Sequence, residues 1–388
     1  MKLHRQVWLD ATQIGVLAAP LILTQLAQVA LTTTDIVMMG MLGPREIAAG
    51  GLALTIFNQF RTMGTGLVTG TGNLVAFANG QHAHADIMRL VRSGFALSTL
   101  AALAFALMML CIEMPLVWLG QDPDVARQAS FYLAAAAPGM LPCLWFQVLR
   151  QYTVGLRKPG PLLAITIVSI VVNAALDYAL MFGRFGFPKL GLIGIACATS
   201  SVYLLSFIAF LTIARRRPEL SEHLSLVVWR ADADTLARTW RMGLPIAATY
   251  GSEAAFFTVL TLVIGTLGAD ALAAQTIVNQ MIYIVFMVSV GLSHASSISI
   301  SHACARHDYR GARRLGYTGL ALGVVTMLIV ALPYLVAPTR VLAPFLDNGV
   351  AASAEVLRLA GGAADDRGAA ADLRLQPEHR RRHFAGPR

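Results

Sequence analysis

Three carboxylic acids lie in the middle of long apolar stretches of this chain: Asp35, Asp177 and Glu253. A charge inside a hydrocarbon layer is costly unless it is paired or protonated, so such residues point to function. Asn173 stands four residues before Asp177, on the same face of a helix, and Thr199 lies in the next apolar stretch. Oxygen atoms of these types suit a hard cation such as Na⁺, and a buried acid also suits a carrier of H⁺. The sequence therefore predicts an ion site.

The composition indicates what must position these groups. The chain has 388 residues, of which 56% are hydrophobic and only 13% are charged, with a mean hydropathy of +0.63. These values are typical of a polytopic membrane protein. The net charge is +9, and most of the basic residues lie in short gaps between apolar runs. Their placement indicates membrane orientation and not nucleic-acid binding. The four cysteines are isolated, and they predict neither a disulfide nor a metal.

Nine apolar runs are long enough to cross a bilayer, which takes about 20 residues each. They lie near residues 14–38, 47–78, 90–112, 128–152, 161–183, 190–213, 240–266, 272–301 and 315–337, and a weaker tenth starts near 349–360. Seventeen Lys and Arg fall on the side of the N-terminus and five on the other. By the positive-inside rule, the N-terminus is expected in the cytoplasm.

Counted from the ends of their spans, Asp35, Asp177 and Thr199 lie at similar depth. We therefore expect them to meet Asn173 in one place. The alternative is that Asn173 and Asp177 only satisfy a bent backbone or each other. For Glu253, near the middle of the seventh span, the alternative is an interhelical hydrogen bond.

The chain also repeats itself. Residues 20–97 laid over 245–322 give eighteen identical pairs out of seventy-eight, where composition alone gives about six. An offset of 225 residues contains six spans, so both copies have the same orientation. We expect an all-α membrane protein of two pseudo-symmetric bundles: a six-helix N-lobe (1–213), a cytoplasmic linker (214–239) and an incomplete C-lobe (240–360).

Other motifs carry weaker signals. Glycines 64, 66, 70 and 72 resemble a nucleotide loop, but no strand precedes them and small-residue helix packing is the better interpretation. His82 and His84 are interpreted as part of a solvated turn. Arg61, in the second span, is expected to extend toward a membrane interface, and no role is assigned to it.

Several segments together resemble the multidrug and toxic compound extrusion (MATE) transporters, most closely their NorM-like bacterial branch. They are AAPLILTQLAQVALTTTDIVMMGMLG in the first span, QYTVGLRKPGPLLAI after the fourth, VVNAALDYALMFG in the fifth, GLIGIACATS in the sixth and GLPIAATYGSEAAFF in the seventh. The resemblance implies two six-helix lobes that open alternately to either side of the membrane. It implies export of cationic drugs in exchange for inward Na⁺ or H⁺.

The same resemblance implies roles for six residues. Asp35, Asn173, Asp177 and Thr199 match the N-lobe cation site, Glu253 matches the C-lobe acid, and Pro20 matches a proline that kinks the first helix. We accordingly expect a monomer in a bacterial inner membrane, in contact with lipids and small cationic drugs. We expect no enzyme activity, no cofactor beyond the coupling ion and no nucleic-acid partner.

The family pattern fails near the end of the chain. Residues 361–388 contain six Arg and four acids without an apolar run, and we interpret them as an out-of-frame or chimeric tail. Two alternatives to drug export remain open. One is a non-functional transporter fragment, and the other is a lipid-linked oligosaccharide flippase of the same superfamily. Such flippases usually carry cationic residues in the cavity, where we expect acids in this chain.

Overall fold

The computed structural model describes residues 2–42, 44–121, 123–158, 162–265 and 269–336. Within these ranges the regular elements are all helices, which confirms the predicted all-α class. In chain order they are α1 (Lys2–Gly40), α2 (Pro44–Gly80), α3 (His84–Leu110), α4 (Glu113–Trp118), α5 (Pro123–Gly155), α6 (Leu162–Phe182), α7 (Leu192–Arg216), α8 (Pro218–Ser221), a 3₁₀ turn (Val228–Arg230), α9 (Ala233–Gly265), α10 (Ala269–Ala305) and α11 (Tyr309–Val336).

Nine helices in the described ranges have 21 residues or more, and each contains most of one predicted span. Five of the described helices combine sufficient length with strong apolar character to cross a membrane: α1 (over Ile14–Met39), α3, α5, α6 and α7. The helices are longer than the apolar windows because a helix can continue beyond the hydrocarbon layer. Its polar residues there are in water, and its backbone stays hydrogen-bonded. The predicted tenth span and the tail at 361–388 lie outside the described residues.

The chain divides into two compact units. One comprises Met1–Val259 and Ile284–Thr326, and the other comprises Leu260–Tyr283 and Met327–Arg388. The first unit therefore holds α1 to α8 and most of α9 and α11, together with the C-terminal part of α10. The contacts described below all belong to this first unit. The lobe and linker boundaries near residues 213, 240 and 360 stay predictions.

Helix α5 is central to the first unit, with α2, α3 and α7 packed against it. Its first half contributes Tyr132 and Leu133 to one apolar cluster, and its second half contributes Phe146 and Tyr152 to another. Helix α6 packs against α1 and α7. This arrangement brings α1, α6 and α7 together, and these are the helices that carry the predicted ion site.

Two glycines of α2 lie directly against the backbone of α9. A Cβ atom at Gly66 would stand 2.8 Å from the Cα of Ala247, and one at Gly70 would stand 2.7 Å from the amide nitrogen of Gly243. No ordinary side chain fits at such distances. The glycine-rich segment is therefore a helix-packing surface, as predicted, and not a nucleotide loop.

The connection between α7 and α9 lies against the first bundle. The hydroxyl group of Tyr152 donates to the carbonyl oxygen of Leu220 over 2.7 Å, and Nε of Arg92 donates to Oγ of Ser225 over 2.8 Å. Lys158 donates to the carboxylate of Glu219 over 2.5 Å, and this hydrogen bond lowers the pKa of Glu219. These contacts fix the connection to the ends of α3 and α5.

Candidate functional site

Four polar side chains from three helices meet inside the first bundle. Asp35 lies near the C-terminal end of α1, Asn173 and Asp177 lie one turn apart on α6, and Thr199 lies in the first half of α7. An i, i+4 spacing puts the two residues of α6 on one face. Helix α6 packs against both α1 and α7, and α1 also contacts α7, so the three helices bring these side chains together. We call these four residues the acid cluster.

Asn173 is the centre of the acid cluster. Its Nδ2 donates to Oδ1 of Asp35 and to Oδ2 of Asp177, both over 2.6 Å. The hydroxyl group of Thr199 donates to the second oxygen of Asp35 over 3.4 Å. Asp35 is 1% exposed, and Asn173 and Asp177 are fully buried. One amide thus bridges two carboxyl groups that approach from different helices.

The electrostatics of the acid cluster favour binding of a positive ion. Both bridged oxygens lie 2.6 Å from one nitrogen, so they are within about 5 Å of each other, where two buried negative charges repel strongly. In addition, Oδ1 of Asn173 and Oδ1 of Asp177 are buried with no hydrogen-bond partner among the described residues. Unsatisfied buried acceptors are costly. A proton or a cation relieves the repulsion and satisfies these oxygens.

Tyr132 of α5 is a buried aromatic residue near the site that sequence reasoning missed. It is 1% exposed and belongs to one apolar cluster with Met39 of α1, Met181 of α6 and Ile195 of α7, the three helices that carry the acid cluster. One Tyr in an apolar run is indistinguishable from core packing, so the sequence offered no signal for it. Only the central position of α5 brings it to the acid cluster.

The other two predicted residues lie elsewhere. Pro20 is inside α1, and the hydroxyl group of Thr24 donates to its carbonyl oxygen over 2.7 Å. Pro20 is fifteen residues from Asp35 in the sequence, about 22 Å along the helix, so any effect on the acid cluster acts through α1. Glu253 lies on α9 with an exposed side chain and makes none of the cluster contacts recorded among the described residues.

A small cavity of about 40 Å³ lies inside the same bundle. We call it the pocket. Its lining is formed by Gln28, Leu31, Thr32, Arg61, Cys143, Phe146, Gln147, Thr166, Ser169, Val202, Tyr203 and Ser206. Arg61 is the charged residue of this lining, and no acid belongs to it. The acids of the cluster are held by hydrogen bonds beside the pocket, and the expectation of acids in the transport cavity stays a prediction.

A buried acid cluster inside a bundle of membrane-length helices, in a chain built from two repeats, is typical of a multi-pass membrane transporter. Comparison with known proteins specifies the family. The MatE family model matches residues 20–179 and 245–361. A probable multidrug resistance protein NorM from Rhizobium meliloti (strain 1021) is 36% identical over 346 residues, or 89% of this chain and 74% of that protein. The chain belongs to the MATE family.

Other relatives agree with this assignment. A probable multidrug resistance protein NorM from Pseudomonas aeruginosa is 37% identical over 348 residues, covering 89% of this chain and 71% of that protein. Among solved structures, the eukaryotic MATE transporter AtDTX14 has a TM-score of 0.81 at 19% identity, covering 92% of this chain and 79% of that one. An outward-facing multidrug resistance MATE transporter has a TM-score of 0.74, also at 19% identity, covering 87% and 74%. The two structures support the fold.

Proposed function

We propose that this transporter exports lipophilic cationic compounds across a bacterial inner membrane in exchange for inward Na⁺ or H⁺. The observation that carries the proposal is the buried bridge from Asp35 through Asn173 to Asp177. Two acids held this closely inside a membrane protein need positive charge in at least part of the transport cycle. The names of the NorM relatives support multidrug export.

Exchange works by competition in this proposal. When an ion occupies the acid cluster, the negative charge of the cluster is neutralised, and the helices that carry the cluster pack in one arrangement. When the ion leaves, the repulsion between Asp35 and Asp177 favours another arrangement, and the site attracts a cationic substrate instead. Inward flow of the ion thus drives outward flow of the drug. Glu253, on the second repeat, is a third acid available to the same cycle, and bending at Pro20 links ion occupancy to the shape of α1.

Either coupling ion fits the donor set. The carboxylate, amide and hydroxyl oxygens of the cluster are ligands that Na⁺ accepts, and either carboxyl group can carry H⁺. The excess of Lys and Arg on the N-terminal side supports a cytoplasmic N-terminus. We propose that the transporter acts as a monomer, since the acid cluster is formed within one bundle of helices.

Efflux measurements test this function. The full 388-residue chain is expressed in drug-sensitive bacteria and ethidium retention is followed, and the purified chain is then reconstituted into vesicles under an imposed Na⁺ or pH gradient. We expect ethidium export driven by one of the gradients, and its loss in Asp35→Asn and Asp177→Asn. Asp86→Asn changes an exposed acid on α3 and is the matched control.

Three results would contradict the proposal in different ways. Normal coupling in both cluster variants would show that the ion binds elsewhere. A chain that inserts but exports nothing would favour the fragment alternative. Movement of lipid-linked oligosaccharide without ethidium export would favour the flippase.

A further inference from the structure

Two glycines at equivalent positions of the repeats, Gly66 on α2 and Gly291 on α10, each lie against a helix of the other repeat. A Cβ atom at Gly66 would stand 2.8 Å from the Cα of Ala247, and one at Gly291 would stand 2.9 Å from the Cα of Ile22. Ala247 is itself the repeat equivalent of Ile22. The contact between the repeats is therefore reciprocal, as in an interface with two-fold symmetry.

This surface continues to the ends of α2 and α10. Gly80 and Ala305 are also repeat equivalents, and a Cβ atom at Gly80 would stand 2.6 Å from the Cβ of Ala305. One position that touches its own equivalent lies beside the pseudo-two-fold axis. Nearby, the hydroxyl group of Ser297 donates to Oδ1 of Asn73 over 2.9 Å. We call the surface where residues 66–80 of α2 and 291–305 of α10 meet the other repeat the seam.

His302 makes a polar contact at the end of the seam that has no reciprocal counterpart. It is 5% exposed in the last turn of α10, and its Nε2 donates to the carbonyl oxygen of Gly155 over 2.9 Å. Gly155 is the last residue of α5, and the last carbonyl groups of a helix have no partner within the helix. The repeat equivalent of His302 is Phe77, whose side chain has no hydrogen-bond donor.

The seam lies in the second halves of α2 and α10, which both end on the side of the N-terminus. The excess of Lys and Arg supports the cytoplasm as that side. In alternating access, the two repeats separate on the side to which the substrate path opens. We propose that His302 is the latch of a cytoplasmic gate, whose hydrogen bond to Gly155 holds the seam closed and breaks whenever the transporter opens inward. This inference rests on the proposed export function and assigns a conformational step of it to one residue.

The latch and the glycine contacts contribute in different ways. Close packing at Gly66, Gly80 and Gly291 sets how near the helices approach, whereas a hydrogen bond depends on distance and direction and is lost when the helices part. In the open state His302 and the carbonyl group of Gly155 are free to bond with water, so the net contribution of their hydrogen bond is modest. Loss of the donor leaves that carbonyl oxygen without its partner in the closed state only. The gate equilibrium should therefore shift without unfolding of the protein.

A distance measurement across the seam tests the latch. Ala85 and Arg310 are exposed repeat equivalents in the first turns of α3 and α11, and a spin label on a cysteine at each position reports how far the repeats lie apart. Ser replaces Cys111, Cys197 and Cys304, which are exposed or half-buried. Electron–electron double resonance on the purified full chain in nanodiscs then gives the populations of shorter and longer distances. Opening of the seam should appear as a longer distance.

Three variants make the measurement specific. His302→Ala should raise the ratio of the longer to the shorter distance about threefold to tenfold. His302→Gln keeps an N–H donor and should remain within about twofold of the wild type. His294→Ala is the matched control, because His294 is a buried residue of the same helix whose ring contacts Tyr250 in its own repeat. An unchanged ratio in His302→Ala, or an equal shift in His294→Ala, would overturn the latch.

A cross-link tests the gate in the presence of an intact His302. Cysteines in place of Asn73 and Ser297, in the same cysteine-poor chain, are joined by an oxidant and released by a reductant. Ethidium efflux should fall to background in the oxidised double variant and return on reduction, while each single variant should be unaffected by oxidant. Export by the fully cross-linked chain would overturn the proposal, also if the His302 variants do not fold.

The two measurements separate this inference from the proposed export function. A chain that exports no ethidium, but whose distance populations shift in His302→Ala and not in His294→Ala, retains the latch and loses the export function. Ethidium export that continues through a fully cross-linked seam does the reverse.

Discussion

Replacing one acid of the cluster by its amide should stabilise the folded protein while abolishing transport. Asp177→Asn preserves the shape of a fully buried side chain but removes its charge from beside Asp35. The two carboxyl groups share the Asn173 amide as a donor, at 2.6 Å each. The substitution therefore removes a like-charge repulsion from a place where water does not screen it.

The geometry sets the expected size of the effect. Two unit charges about 5 Å apart interact by about 3 kcal/mol at an effective dielectric constant of about 20. Partial ionisation of the pair reduces this value, so we expect a gain of about 1 to 3 kcal/mol in the free energy of unfolding at alkaline pH. For a chain of this length, the thermal midpoint should rise by about 1 to 4 °C. Efflux should fall to background because the ion no longer finds two acids.

Thermal unfolding of the purified protein and ethidium efflux together provide the assay. A double-mutant cycle with Asp35→Asn isolates the repulsion, because the second amide should add no stability once the first has removed it. Asp86→Asn, at an exposed position, should change neither measurement. Two results would refute the reasoning on stability: a lower midpoint in Asp177→Asn, or additive stabilisation by the two amides. A stabilised variant that still exports would refute the coupling role.

Three further substitutions test individual contacts. Tyr132→Phe removes a buried hydroxyl group from the apolar cluster beside the acid cluster and should slow efflux severalfold at an unchanged thermal midpoint. An unchanged rate would assign Tyr132 to packing alone. Gly70→Ala places a Cβ 2.7 Å from the nitrogen of Gly243 and should cost about 1 to 3 kcal/mol in stability. Gly15→Ala is the control, because a Cβ there would meet nothing within 4 Å, and it should cost no stability. An equal loss of stability in Gly15→Ala and Gly70→Ala would contradict the contact between α2 and α9. Gln151→Leu removes a buried hydrogen bond of 2.9 Å to Thr69 and should cost about 1 kcal/mol, part of which Thr69→Val should restore; thermal unfolding measures both.

The helices were predictable because their signal is local. Apolar runs of membrane length identify themselves in any window of about 20 residues, and each predicted span within the described ranges coincides with a long helix. The ends were less predictable, since α1 begins at Lys2 and α11 at Tyr309, well before their apolar windows. Hydropathy reports where a helix meets hydrocarbon, and it does not report where backbone hydrogen bonding starts.

The candidate site was predictable only in part. The i, i+4 spacing of Asn173 and Asp177 places them on one face of any helix, and depth in the membrane suggested Asp35 as their neighbour. Arg61 was assigned no role, because a lone arginine in an apolar run is equally consistent with extension toward the membrane surface. Its place in the pocket lining depends on how α2 is rotated about its own axis, and this rotation follows from packing against α5.

The sequence by itself determined the membrane class, the two repeats, the family resemblance and the acids that carry it, because each depends on residue types and spacing along the chain. The tertiary structure decided which of these residues meet. The amide of Asn173 bridges acids on two helices, one of them 138 residues distant, while Glu253 takes no part in that cluster. Tyr132 and Arg61 acquire their surroundings in the same way. Such contacts depend on how each helix is rotated, how deep it lies and which helices pack against it. Interactions between residues distant in the chain determine these features.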